Sequence, residues 1–141
     1  MNERKRNVRV RLTTENDGQR TVVDANGVAY LRGGHTYIRY EETSADLAGV
    51  TTTVKLGEGA VAVLRQGAVR AEQRFVPNGI AVGYYETAHG SFPLETKTGE
   101  IDVRFENGVG VAAWSYELLV GGAEAGRFQV NLDVQEAEET R

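Results

Sequence analysis

Residues 64–75 read Leu64-Arg65-Gln66-Gly67-Ala68-Val69-Arg70-Ala71-Glu72-Gln73-Arg74-Phe75, and how this stretch doubles back decides the fold. Gln66-Gly67 offers the positive φ that a two-residue hairpin loop needs, and apolar residues alternate with polar ones on both sides of it. A two-residue loop pairs Arg65 with Ala68, Leu64 with Val69, Val63 with Arg70, Ala62 with Ala71, Val61 with Glu72 and Ala60 with Gln73. Directly opposed residues share a face. One face then carries Leu64, Val69, Ala62, Ala71, Ala60 and Gln73, and the other carries Arg65, Arg70 and Glu72 beside Val61 and Val63. Burying an unpaired charge costs several kcal/mol as an order of magnitude, so the arginine face is expected in water and Gln73 inside. A buried amide left without a partner costs about 1–3 kcal/mol, and three alanines on the inward face leave room that is either filled by large aromatics such as Phe75, Phe92, Trp114 or Phe128 or kept as an internal ligand cavity.

The same grammar runs along the whole chain. Glycine-containing pairs punctuate it at Asp17-Gly18, Asn26-Gly27, Gly33-Gly34, Gly57 to Gly59, Asn78-Gly79, Asn107-Gly108 and Gly121-Gly122. Between them the residues alternate with period two, as in Val8, Val10, Leu12 against Arg9, Arg11, Thr13. Candidate strands are Asn7–Thr14, Gln19–Leu31, His35–Glu41, Val50–Leu56, Ala60–Arg65, Ala68–Phe75, Ile80–Thr87, Ser91–Lys97, Glu100–Glu106, Val109–Val120 and Gly126–Gln135. The one stretch suited to a helical turn is Glu42–Gly49, where Ser44 precedes Ala45, Asp46 and Leu47; a plain loop is the alternative. Residues 136–141, with Glu136, Glu138 and Glu139, read as a frayed, solvated tail. Strands joined hairpin to hairpin, without helical crossovers, give an all-β antiparallel meander. One of about 8–10 strands closes into a barrel to hide its edges.

Composition agrees and excludes several chemistries. The 141 residues hold 18 Val, 3 Ile and 12 Thr, a strong lean toward strand, and the length fits one domain spanning 1–141. With no cysteine, disulfides, thiolate metal sites and Cys nucleophiles are excluded. The net charge of −4 gives no general reason to bind nucleic acid. No apolar run follows the basic start Arg4-Lys5-Arg6, so it reads as a strand rather than a signal, and no stretch has the length of a membrane-spanning helix. The expected location is the cytoplasm. Arg9 and Arg11 suit a solvated edge strand, with a phosphate or acidic partner as the alternative.

Several pieces of the chain resemble the YwiB-like family of uncharacterised bacterial proteins, within the calycin-like (lipocalin-like) β-barrels. They are Leu64 to Phe75, most specifically Arg65-x-Gly67-x-Val69 followed by Gln73-Arg74-Phe75; Tyr37-Ile38-Arg39-Tyr40-Glu41-Glu42; Thr87 to Thr98 with His89-Gly90; and Tyr116-Glu117-Leu118 with Val120-Gly121. The stretch Gly90-Ser91-Phe92-Pro93-Leu94 departs from the pattern in being longer than the turn expected there. The resemblance implies a calycin-like antiparallel barrel in the bacterial cytoplasm. It implies no catalytic residue, and it argues for an internal cavity by fold analogy alone.

Catalytic chemistry finds little footing. His35 and His89 both sit at turns, no metal-binding or phosphate-binding motif occurs, and none of Ser44, Ser91 or Ser115 lies in a nucleophile elbow. Arg32-Gly33-Gly34 stands alone and reads as a turn. Glu117 is expected to face water, because Trp114, Tyr116 and Leu118 alternate with it. Tyr84 and Tyr85 face opposite sides of one strand, so one of them belongs inside. These residues suggest a non-catalytic protein without metal or cofactor. It would bind a small, partly apolar ligand in the barrel interior through Gln73, Tyr84, Tyr85 and Trp114. The alternative is a protein-interaction module using exposed strand edges or the arginines Arg65, Arg70 and Arg74.

Overall fold

The computed structural model describes residues 4–57 and 59–137. Ten strands follow one another: β1 (Arg4–Asn16), β2 (Gln19–Arg32), β3 (His35–Glu41), β4 (Thr51–Leu56), β5 (Val61–Gln66), β6 (Arg70–Phe75), β7 (Gly79–Thr87), β8 (Gly90–Glu106), β9 (Val109–Val120) and β10 (Ala123–Glu136). Each pairs antiparallel with its neighbour in sequence, and β1 pairs with β10, so the meander closes into a barrel. Glu136 belongs to β10 rather than to a tail; residues 138–141 of the expected tail lie outside the described residues.

Local chemistry explains most boundaries. Asp17-Gly18 and Asn107-Gly108 take positive φ at both residues, the conformation that lets a two-residue loop match the twist of its strands. Asn26-Gly27, expected as a turn, instead lies inside β2. A Cβ on Gly27 would come within 2.7 Å of the Arg39 carbonyl oxygen and 3.0 Å of a Val10 methyl, so this glycine serves close approach rather than reversal. The two strands expected at Ser91–Lys97 and Glu100–Glu106 are one, β8, whose register shifts between Thr98 and Ile101. Gly99-Glu100 is therefore an irregularity within a bent strand. Gly90-Ser91-Phe92-Pro93-Leu94 begins this strand immediately after a short turn. Residues Ala45–Leu47 form a single 3-10 turn, capped by the Ser44 hydroxyl accepting from the Asp46 amide.

The hairpin at Gly67 departs from the expected register. Val61 pairs with Phe75, Val63 with Gln73 and Arg65 with Ala71, so the loop takes in Ala68 and Val69. An odd shift turns one strand over relative to its partner. Strand β6 keeps Ala71 and Gln73 inward, as expected, but β5 now turns Val61, Val63 and Arg65 inward and Ala62 and Leu64 outward. The alanine-lined space inferred from the shorter loop is lost, because only Ala71 of the three lines the interior. Two physical facts set the longer loop. A side chain on Gly67, at φ 137°, would collide with the Gly49 carbonyl, so the loop lies directly against the 42–50 connection. The charge of Arg65, taken as a reason to face water, has a carboxylate waiting inside.

The core runs through the barrel and contains Val8, Val10, Ala29, Ile38, Val54, Leu56, Phe75, Trp114, Leu132 and Val134. Phe75 anchors it, with ring centroids 5.5 Å from Trp114 and 4.7 Å from Tyr116. Burying a side chain of this size contributes about 1.5–3 kcal/mol.

Candidate functional site

Five connections gather at one end of the barrel: residues 17–18, 42–50, 67–69, 88–89 and 121–122. The inward positions beneath them are where the interior becomes polar. Tyr40 continues the inward face of Ile38 on β3, and Glu42 follows two residues later. Thr52 precedes Val54 and Leu56 on β4, Arg65 follows Val63 on β5, Gln73 lies between Ala71 and Phe75 on β6, and Tyr116 follows Trp114 on β9. The Glu42 amide donates to the Val50 carbonyl, and the Val50 amide to that of Leu47. These bonds fold the connection so that the Glu42 side chain is carried in rather than out.

The Glu42 side chain is 2% exposed and stands 3.8 Å from Arg65 Nε, whose own side chain is 22% exposed. The Thr52 hydroxyl donates to Glu42 Oε2. At 3.8 Å the Arg65 contact is an ion pair rather than a hydrogen bond, and the buried Nε has no hydrogen-bond acceptor. The Tyr40 hydroxyl faces Glu42 and Thr52 yet is also without a partner. Burial, and then the Glu42 carboxylate, push the Tyr40 phenol well above its ordinary value, with Arg65 opposing them. Burial raises the Tyr116 phenol too, while a hydrogen bond from Gln73 and the charge of Arg65 pull it back. Gln73 and Arg65 thus both act on the Tyr116 phenol.

Apolar surface surrounds this cluster and reaches solvent. Leu12, Val23, Tyr85, Leu118, Val120 and Phe128 are half-buried on inward positions, and Phe92 at the rim is 47% exposed. Tyr116 stacks on Phe128 at 5.1 Å.

Of the residues singled out in the sequence, Gln73 and Tyr85 point into this end, Gln73 half-buried beside Tyr116. Trp114 lies deeper in the core, with its indole Nε1 unpartnered. Tyr84 points outward and is 38% exposed, so it belongs to no interior site. Arg65 leaves the expected arginine face for the interior. Arg70 and Arg74 remain outside, Arg74 beside Glu72 at 3.3 Å. Glu117 is half-buried on the outer face of β9. His35 approaches the Gly33 carbonyl and His89 sits in the 88–89 turn, on opposite ends of the barrel. Glu42, Tyr40, Thr52 and Tyr116 were missed as a group. The alternation Ile38, Tyr40, Glu42 was the available signal for the first two.

Two further surfaces stand out. A groove of about 840 Å³ runs over the outer face, lined by Tyr37, Lys55, Leu64, Glu72 and Arg74 among others, and does not touch Gln73. Beside it the β6–β7 ladder stops at Glu72 with Tyr84, and the Thr96 hydroxyl of β8 donates to the Arg74 carbonyl instead. Gly83, whose Cβ would collide with the Glu72 carbonyl, permits this crossing. It leaves Ile80 and Val82 60% and 62% exposed. Among the described residues no group of three or more His, Asp or Glu could hold a metal ion, and no helix is long and apolar enough to cross a membrane.

Fold and interior together define a closed ten-stranded antiparallel β-barrel with a polar cluster inside its looped end. Residues 7–132 match the model of the family described as "Domain of unknown function (DUF1934)", and the chain belongs to that family. It is 33% identical over 114 residues to the "Uncharacterized beta-barrel protein YwiB" of Bacillus subtilis (strain 168), covering 79% of this chain and 80% of that protein. The crystal structure of the ywiB protein from Bacillus subtilis superposes with a TM-score of 0.73 at 26% identity, over 96% of this chain and 94% of the other.

Proposed function

We propose that the protein is a non-catalytic binder of a small, partly apolar molecule. The molecule enters the looped end of the barrel, lies against Leu118, Phe128 and Tyr85, and is oriented by Gln73, Tyr116 and Arg65. The observation that carries this reading is Arg65, turned into the barrel beside the buried Glu42 carboxylate with its side chain 22% exposed and its Nε without an acceptor. Leaving a buried donor unpaired costs about 1–3 kcal/mol, and a shift of the Arg65 side chain that admits a ligand acceptor would recover that. The bacterial, cytoplasmic setting implied by the family resemblance goes with this reading.

Titration with N-phenyl-1-naphthylamine, an uncharged fluorophore, tests it. Saturable one-to-one binding is expected, with quenching of Trp114. The Leu118→Arg variant should abolish binding, whereas Leu64→Arg in the outer groove should leave it unchanged. Non-saturable enhancement, or loss in the Leu64 variant alone, would overturn the interior site.

A second reading has one observation in its favour. Ile80 and Val82 form an exposed apolar edge with no partner strand on the β6 side, the kind of surface that accepts an added extended strand. This moves the interaction alternative from the arginines to β7. Replacing Ile80 and Val82 by Lys should then remove co-purifying partners; an unchanged set counts against it.

A further inference from the structure

Resting on the interior-site reading above, we infer that the ligand presents an uncharged hydrogen-bond acceptor, such as an amide, ester or alcohol oxygen, rather than a carboxylate or phosphate. A lone buried arginine invites an anion. Here Glu42 already stands 3.8 Å from Arg65, with its side chain 2% exposed, so the cluster is electrically balanced before any ligand arrives.

An incoming carboxylate would bring a second negative charge beside Glu42, in surroundings that remove it from water, and the one guanidinium would have to serve both. Like charges sharing one buried site repel strongly. A neutral oxygen avoids that repulsion. It can accept from the guanidinium end of Arg65, whose side chain is 22% exposed, and from the Gln73 amide beside Tyr116. Glu42 meanwhile keeps its bond from Thr52. Glu42 thus acts as the residue that sets head-group charge, without touching the ligand.

The test is competition against bound N-phenyl-1-naphthylamine by decanamide, decan-1-ol and decanoate at pH 7.5, on the wild type and on Glu42→Gln. Decanamide and decanol should displace the fluorophore at least about tenfold more tightly than decanoate, a ratio equivalent to about 1.4 kcal/mol. In Glu42→Gln the cluster carries an uncompensated positive charge, so decanoate should gain at least about tenfold and overtake the amide. Decanoate binding equally well or better in the wild type would overturn the neutral head group while leaving the interior site standing. Failure of all three to displace the fluorophore would overturn both. If Glu42→Gln does not fold, the wild-type ratio alone decides.

Discussion

Removing the guanidinium of Arg65 while leaving Glu42 in place is the most demanding perturbation of this interior. Arg65→Met keeps the length of the stem and takes away the charge facing a carboxylate that is 2% exposed. Breaking one side of a buried pair costs about 3–5 kcal/mol. The partial exposure of Arg65 and the remaining bond from Thr52 point to the lower end, about 3 kcal/mol. An independent bound agrees: a stranded carboxylate can take up a proton instead, and protonating an ordinary glutamate at pH 7 costs about 3.7 kcal/mol. For a chain of this length about 3 kcal/mol corresponds to a midpoint lower by roughly 10 °C. The penalty is present at neutral pH and shrinks by up to about 1.4 kcal/mol per unit as acidity supplies the proton. Thermal unfolding by circular dichroism should therefore show the variant closest to the wild type near pH 5. The double variant Arg65→Met/Glu42→Gln, which strands no charge, should recover about 2 kcal/mol of the loss. A midpoint shift under about 3 °C at pH 7, unchanged at pH 5, would refute the buried pair.

Other outcomes follow from the same geometry. Gly67→Ala should destabilise by about 2 kcal/mol in urea unfolding, because its φ of 137° and the neighbouring Gly49 carbonyl leave no place for a Cβ; wild-type stability would show that the loop relaxes freely. Tyr40→Phe, which deletes an unpartnered hydroxyl, should change stability by less than about 1 kcal/mol at pH 7. The raised phenols of Tyr40 and Tyr116 stay protonated in the fold after their unfolded counterparts ionise. Their contribution is therefore intact below pH ~10 and falls as pH rises above it, by up to about 1.4 kcal/mol per unit for each phenol. Tyr40→Phe should flatten that decline, and an identical alkaline limb would contradict the assignment. Trp114, the single tryptophan and 3% exposed, should emit at the short wavelengths of an apolar site and resist iodide quenching until the barrel unfolds.

Most of the architecture was legible in the sequence because closure of a meander depends on alternation and turn chemistry, both local. Asp17-Gly18 and Asn107-Gly108 announced their turns, and Val8, Val10 and Leu12 announced their face. Asn26-Gly27 and the break left between Lys97 and Glu100 misled, since a glycine placed for close approach or within a bent strand looks the same in sequence as one placed for a turn. The site was legible only in part. Gln73 fell on the correct side even though the paired strand was turned over, because the error of register lay in the loop and moved β5 alone. Arg65 was assigned to solvent by an argument that holds for unpaired charges. Its partner Glu42 lies on a connection whose course depends on contacts between Gly49 and Gly67, and a pairing rule for one hairpin has no access to those. The break in the β6–β7 ladder is equally non-local, arising where Thr96 of β8 reaches Arg74.

Arg65 turns inward beside Glu42, and its Nε–H lacks an acceptor. Arginine Nε–H groups can be observed directly by two-dimensional ¹H–¹⁵N NMR, and assignment by Arg65→Lys identifies the signal. A resolved, slowly exchanging Arg65 Nε–H is expected, which moves on adding decanamide together with the Gln73 side-chain amide, while the backbone signals of Tyr37, Lys55 and Leu64 stay in place. An Arg65 signal that exchanges as fast as that of exposed Arg70, or ligand shifts confined to the outer groove, would contradict it.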